Sequence, residues 1–349
     1  MSNQFKIFMS TTLLSISYSL TSYAVAEPIT LKISHFLPAE SPAQKQVFEP
    51  WCAKIKKDSG GQLLCAIYPA MSLEAGRSSD EIFEQIKRGK ADIGWVLPNM
   101  IPGNFPIFEA IELPFMIKDS LSSSLALWNF YETHAQDEFT AFADFKVLAF
   151  FAGGGTEIHT KDKKIETLAD LKGLKLNVAG KYVRNTMSTF DVISLTTKGP
   201  DHIIEQITNN VTAGVVISWQ VAQAVNLNSL TKFHTQMPEG KNYLGAASFS
   251  ILMNKDKYNS LSDDLKKVID QNSGLPLVTQ AAKVWDAEVL KNKGSAKREG
   301  HTMTTFSDIE YEKLLNLSIP LRQKWIDKMT KAGKDGEGLF EALNSLLDN

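Results

Sequence analysis

Few residues in this chain have the type and company that bond-breaking chemistry demands. The six histidines of its 349 residues are scattered, with no ligand-like spacing. Its two cysteines, Cys52 and Cys65, lack the further Cys or His that a zinc site requires. Neither a Gly-x-Ser-x-Gly elbow nor a His-Glu-x-x-His helix occurs. Gly153-Gly154-Gly155 is not followed by the Lys-Ser/Thr of a phosphate-binding loop and reads instead as a chain crossing. No metal and no cofactor is expected. One catalytic reading stays open: a secreted, two-lobed α/β hydrolase with His159 or His202 as base and a nearby serine as nucleophile.

The remaining candidates suit non-covalent recognition. Trp219-Gln220 closes an apolar run and sets a flat face beside an amide, which fits a small ring or alkyl group with one polar end. The same Trp219 also fits ordinary core packing. Lys181 and Arg184 follow Gly180, where a helix N-terminus favours anions, although such residues commonly form solvated helix faces. Arg77 is weighed in the same way. His159 can donate to an anion or sense pH, or be a plain strand histidine. Asn177 offers one neutral acceptor and two donors in the middle of a short strand. Phe36 and Trp95, with Met71, stand at the carboxyl ends of predicted strands, where ligands of parallel sheets collect.

The elements that must position these residues follow from periodicity. Ile29–Ser34 alternates as a strand, and Val47, Trp51 and Ile55 take helical spacing up to Gly60-Gly61. Leu63–Tyr68 is a strand, Asp80–Arg88 a helix and Ala91–Leu97 a strand, giving β-α-β-α-β and a mostly parallel, α/β architecture. Phe105–Phe115 reads as an apolar connector, 125–142 as a helix and Phe145–Phe151 as a strand. Beyond the triple glycine the alternation resumes: strands at 174–178, 191–195 and 212–218, helices at 181–189 and 201–209. Helices then cover 261–270, with Ser262 as N-cap, 278–293, 311–331 and 338–347.

Lys6 is the only charge before Glu27; Ile7–Leu20 is apolar and hydroxyl-rich, and Ala24-Val-Ala26 makes a small-x-small site. This predicts a cleaved secretory leader over 1–26 and a periplasmic location, since a membrane anchor needs about twenty apolar residues. In such a compartment Cys52 and Cys65 are expected to pair, with two buried thiols as the alternative. With 37 basic and 39 acidic residues, a formal charge of −2 and no basic tract, the chain is not expected to bind nucleic acid. A mature chain of this length suggests two domains.

The order of several stretches resembles one family. Ser34-His-Phe-Leu-Pro, Glu81-Ile-Phe-Glu-Gln-Ile-Lys-Arg-Gly-Lys-Ala-Asp-Ile-Gly, Phe105-Pro-Ile-Phe-Glu-Ala-Ile-Glu-Leu-Pro-Phe, Leu168-Ala-Asp-Leu-Lys-Gly-Leu-Lys-Leu and Met253-Asn-Lys-Asp-Lys-Tyr look like TRAP-transporter solute-binding proteins over nearly the whole mature chain. The resemblance implies the two-lobed periplasmic solute-binding fold, with a ligand cleft between lobes and a long connecting helix. Lobe I is then expected from 27–150 plus about 241–285, and lobe II from 151–240 plus about 286–349. It further implies capture of a small organic solute, usually an organic acid, and delivery to the subunits of a TRAP membrane permease. A monomer is the simpler expectation for a diffusing carrier, and a periplasmic sensor subunit is the neighbouring alternative. The family places a carboxylate-binding arginine where this chain has Asn177, and an acidic residue where it has Gln220. Both changes remove charge from the expected cleft, which opens the cleft to a neutral or aromatic solute.

Overall fold

A computed structural model of the chain describes residues 27–74, 79–101, 105–135, 144–196 and 199–348; the expected leader 1–26 and Arg77 lie outside them. The first strand, β1 (Ile29–Ser34), points Leu31 and Ile33 inward and Lys32 outward. A π-helical turn, Ala43–Phe48, then buries Val47 and Phe48 and leads into α1 (Glu49–Asp58), which buries Trp51 and Ile55 one turn apart. After β2 (Leu63–Tyr68), α2 (Ser79–Lys87) lies on β3 (Ile93–Val96). A Cβ on Gly94 would come 2.6 Å from Ile86 Cδ1, so glycine lets the helix settle on the sheet. Cys52 and Cys65 form a disulfide that ties α1 to β2.

The chain continues through α3 (Ser120–Phe130) and β4 (Phe145–Ala152) into β5 (Thr156–Thr160), β6 (Lys175–Val178), α4 (Lys181–Thr189), β7 (Ile193–Leu195), α5 (Pro200–Thr208), β8 (Gly214–Ser218), α6 (Leu227–Leu230) and β9 (Phe233–Gln236). It returns as β10 (Ser248–Asn254) and ends with α7 (Lys255–Asn259), α8 (Asp263–Gln271), α9 (Leu275–Arg298), β11 (Thr302–Thr305), α10 (Asp308–Lys331) and α11 (Gly336–Asp348). Ser262 caps α8 through Leu265 N–H.

The strands form two sheets, ordered β2-β1-β3-β10-β4 and β11-β9-β5-β8-β6-β7. Each anchors its own lobe of an α/β fold. β10 runs antiparallel between β3 and β4 and is buried along its whole length, so it shows no polar–apolar alternation to betray it in the sequence. Among the described residues four segments join the lobes: Gly153–Gly155, residues 237–247, and the helices α9 and α10. α10 sets Tyr311 and Leu314 in the second lobe's core and Trp325, Ile326 and Met329 in the first's, with Pro320 between the two sets. The sequence grouped residues 286–349 with the second lobe. In the structure α11 packs on α3 and gives Leu339, Phe340 and Leu343 to the first lobe's core.

Candidate functional site

At the Gly153–Gly155 crossing β4 and β8 end and β5 and β10 begin, and there the two lobes touch. Gln220, on the turn after β8, accepts the Gly154 N–H through its side-chain oxygen. A Cβ on Gly153 would stand 2.9 Å from Gln220 Nε2 and 3.0 Å from Phe249, and one on Gly155 only 1.9 Å from the Tyr243 ring. The three glycines are therefore explained by close approach of side chains from both lobes.

From Phe249 an aromatic wall extends into the first lobe. Trp95 is its centre, with Phe36 at 4.7 Å, Phe249 at 5.1 Å, Trp285 at 5.7 Å and Phe151 at 6.3 Å between ring centroids. These separations are those of favourable tilted and offset aromatic pairs. Among the described residues the buried indole N–H groups of Trp95 and Trp285 meet no acceptor, and Nδ1 of the adjoining His35 meets no partner. Buried indole donors normally find partners, so two orphans in one cluster mark a place where an acceptor belongs. The crevice between Trp95, Trp285, Phe48 and Ile251 holds about 10 Å³. A larger hollow of about 150 Å³, lined by Gln223, Asn226, Asn228, Asn292 and Ser295, contains none of the residues singled out from the sequence.

Thus Phe36 and Trp95 share the first lobe's aromatic wall, and Gln220 meets that wall through Phe249 at the Gly153 crossing. Phe249 and Trp285 join the wall without any signal in the sequence, since β10 shows no alternation and Trp285 lies on a helix that only long-range packing brings across.

Trp219, His159 and Asn177 lie elsewhere. Trp219 is fully buried in the core formed by Ile203, Ile207 and Val215, and its indole donates to Glu157 at 2.7 Å. Glu157 is held in turn by Lys293 at 2.5 Å. Burial drives the Glu157 carboxyl upward against these partners. Burial also works to lower the Lys293 ammonium, but Glu157 and Tyr243 beside it override that and leave it raised. His159 packs edge-on to Trp219, with centroids 4.7 Å apart.

His159 begins a hydrogen-bonded chain of three histidines. Its Nε2 meets the Ile217 carbonyl at 3.1 Å and its Nδ1 meets His234 Nδ1 at 2.9 Å; His234 Nε2 meets His301 Nδ1 at 2.9 Å, and His301 Nε2 meets Lys232 Nζ at 3.1 Å. A carbonyl only accepts and an ammonium only donates, so the proton positions follow. His159 carries its proton on Nε2, and His234 and His301 carry theirs on Nδ1, all three neutral. Burial depresses each of them: His159 well below its ordinary value, His234 down to about 3, and His301 less far, with Lys232 nearby adding to it.

Asn177 alternates with Leu176 and Val178, which face the core around Met187 and Phe306. It therefore turns to the opposite face, in register with Val215, and donates to Thr212 Oγ1 at 2.9 Å. Replacing Asn177 with Ala should cost about 1 kcal/mol of stability and leave solute affinity unchanged, as urea unfolding and calorimetric titration of the same sample can show. Lys181 is exposed, with its ammonium 5.3 Å from the Tyr182 ring, and Arg184 is half-buried on the same helix, α4.

A further pair at the lobe boundary was not singled out from the sequence. Glu112 accepts from Ser248 N–H at 3.0 Å, from the Ser248 hydroxyl at 2.5 Å and from Asn99 Nδ2 at 2.7 Å. Burial pushes its carboxyl up to about 7 against those three donors. Its only sequence signal is that Glu109 and Glu112 interrupt an otherwise apolar connector.

Comparison with known proteins places this geometry. Residues 33–328 match the family described as bacterial extracellular solute-binding protein, family 7. A TRAP solute-binding protein from an unidentified microbe of a marine metagenome, crystallised with 3-hydroxybenzoate, is 31% identical with a TM-score of 0.86, over 93% of this chain and 99% of its own. A TRAP solute-binding protein from Rhodoferax ferrireducens, with copurified benzoate, is 32% identical with a TM-score of 0.85, over 92% of this chain and 98% of its own. A Comamonas testosteroni protein named outer membrane transporter protein TsaT is 23% identical over 312 residues, 89% of this chain and 90% of that one.

Proposed function

The chain belongs to the bacterial extracellular solute-binding proteins of family 7, among the TRAP solute-binding proteins, and from that premise we propose that its solute is an aromatic carboxylate, bound without turnover and handed to a TRAP permease after export of residues 27–349. One observation carries the choice of solute: an aromatic wall centred on Trp95 whose two buried indole donors have no acceptor. A ring stacks on the wall, and a carboxylate accepts what the indoles and the Gln220 amide donate. Two relatives above 30% identity were crystallised with benzoate or 3-hydroxybenzoate.

Recognition of the anion here falls to neutral donors. Asn177 turns away to Thr212, and Lys293 is engaged by Glu157. Neutral hydrogen bonds to a carboxylate in a site closed to water gain strength from the low dielectric.

The crevice at Trp95, about 10 Å³ and lined wholly by first-lobe residues, is far below the roughly 300 Å³ at which ligand pockets begin, so the solute's place is where Phe249 meets Gln220 at the crossing, and it is reached when the lobes part and close again. Thermal unfolding of residues 27–349 with benzoate, cyclohexanecarboxylate and benzamide tests the reading. Benzoate should raise the melting temperature most, by about 2.7 kcal/mol of linkage at a hundredfold excess over Kd. Equal shifts with cyclohexanecarboxylate would remove the role of the aromatic wall, and equal shifts with benzamide the role of the carboxylate.

A further inference from the structure

Glu112 is a buried carboxyl without a cation. It is 1% exposed and no ion pair reaches it among the described residues. The polar groups facing it are Asn99 from the turn after β3, Ser248 from β10, Glu109 from its own turn and Tyr182 from α4. The nearest charges are already committed: Lys328 of α10 meets Glu109 at 2.6 Å, the Tyr182 hydroxyl also donates to Glu109, and Lys181 lies over the Tyr182 ring.

The two sides of this cluster come from different lobes. Asn99, Ser248 and Glu112 belong to the first. The cover comes from the second: Tyr182 packs into the first lobe's core, and a Cβ on Gly180 would stand 3.7 Å from Asn99 Nδ2. Parting the lobes withdraws α4 and admits water to the carboxyl, while closing them excludes it.

We propose that closing the lobes over the solute takes up one proton from solvent, on Glu112. The proton comes from the buffer and stays on the carboxyl while the cleft is shut. In the open form Glu112 ionises near its ordinary 4.5, whereas burial in the closed form holds it near 7. Closed is thus the more basic state, so affinity is strongest at acid pH, weakens as pH rises through that interval, and is flat above it. At one proton per binding event the change is about tenfold per pH unit within the interval. Capture of an organic anion is thereby favoured where protons are plentiful.

This rests on the aromatic-carboxylate reading above, and calorimetry separates the two. Benzoate is titrated at pH 6 into the mature protein in buffers of different ionisation enthalpy, such as Mes and phosphate. The heat should vary with the buffer with a slope near one proton taken up, and Glu112→Gln should bring that slope to zero. Ser248→Ala removes a donor that favours the carboxylate, so its uptake should move to higher pH. It also serves if the Gln variant folds poorly. Benzoate binding with the same heat in every buffer overturns the inference alone, as does a Glu112→Gln protein that keeps the full slope. No benzoate binding at any pH overturns the solute assignment and the inference with it.

Discussion

Lys293→Met should destabilise the protein by about 3–5 kcal/mol at neutral pH, the largest loss expected from any single polar side chain here. Lys293 is the cation held 2.5 Å from Glu157, whose side chain is fully buried and also accepts from Trp219. Methionine keeps most of the apolar stem, so the loss is electrostatic: a buried carboxylate keeps one indole donor and no cation. That carboxyl escapes by taking a proton. Its folded pKa then lies above the unfolded value, so the variant is least stable at high pH and recovers as pH falls. Adding Glu157→Gln should return most of the loss, because a neutral amide needs no cation. Urea unfolding of the three proteins at pH 7.5 and 5.5 checks both statements; a Lys293→Met protein as stable as its parent at pH 7.5 would show that Glu157 already carries a proton there.

The second large effect is acid sensitivity. His35, pushed down to about 4 by burial, and His234, down to about 3, are neutral in the fold, and His159 lies well below 6.5. In the unfolded chain each titrates near 6.5. Depressed histidines contribute stability that is whole above 6.5 and lost as pH falls toward the folded values. At pH 5 the loss is about 2 kcal/mol each for His35 and His234, and His159 adds to it. Glu112 works the other way: its raised carboxyl returns about 2–3 kcal/mol between pH 8 and pH 5. The histidines together outweigh Glu112, with Glu157 and Asp286, also raised by burial, offsetting part of the fall, so stability decreases over that range and protons are taken up on unfolding. Urea midpoints at pH 8, 6.5 and 5 with unchanged m-values would show it. A flat profile would mean that a proton enters the His159–His234–His301 chain and turns its donors around.

Much of the fold was legible because its elements are amphipathic in the ordinary way: Ile82, Phe83 and Ile86 line one face of α2, and Leu31 and Ile33 one face of β1. β10 escaped because a strand buried on both faces has no period-two signature, and β11, Thr302–Thr305, because it has almost no apolar face. Within the candidate site, Phe36, Trp95 and Gln220 draw notice in the sequence from their places at strand ends, and the proposed site is built on them. Asn177 shows the limit of matching by position, since a strand's register decides which face a side chain takes and a one-residue change reverses it. The histidine chain was invisible for another reason. His159, His234 and His301 come from β5, β9 and the residue before β11, and only strand pairing brings them together.

The threading of α10 and α11 bears on how the molecule is made. Among the described residues β4 pairs with β10 alone, about a hundred residues later, and the first lobe's core is closed by Leu339, Phe340 and Leu343. The first lobe's core therefore stays open until Leu343 is in place, and such long-range pairing is intrinsically slow. A cut anywhere before Leu339 would thus remove more than a tail: it would take three side chains out of the core of a lobe whose strands lie more than eighty residues upstream.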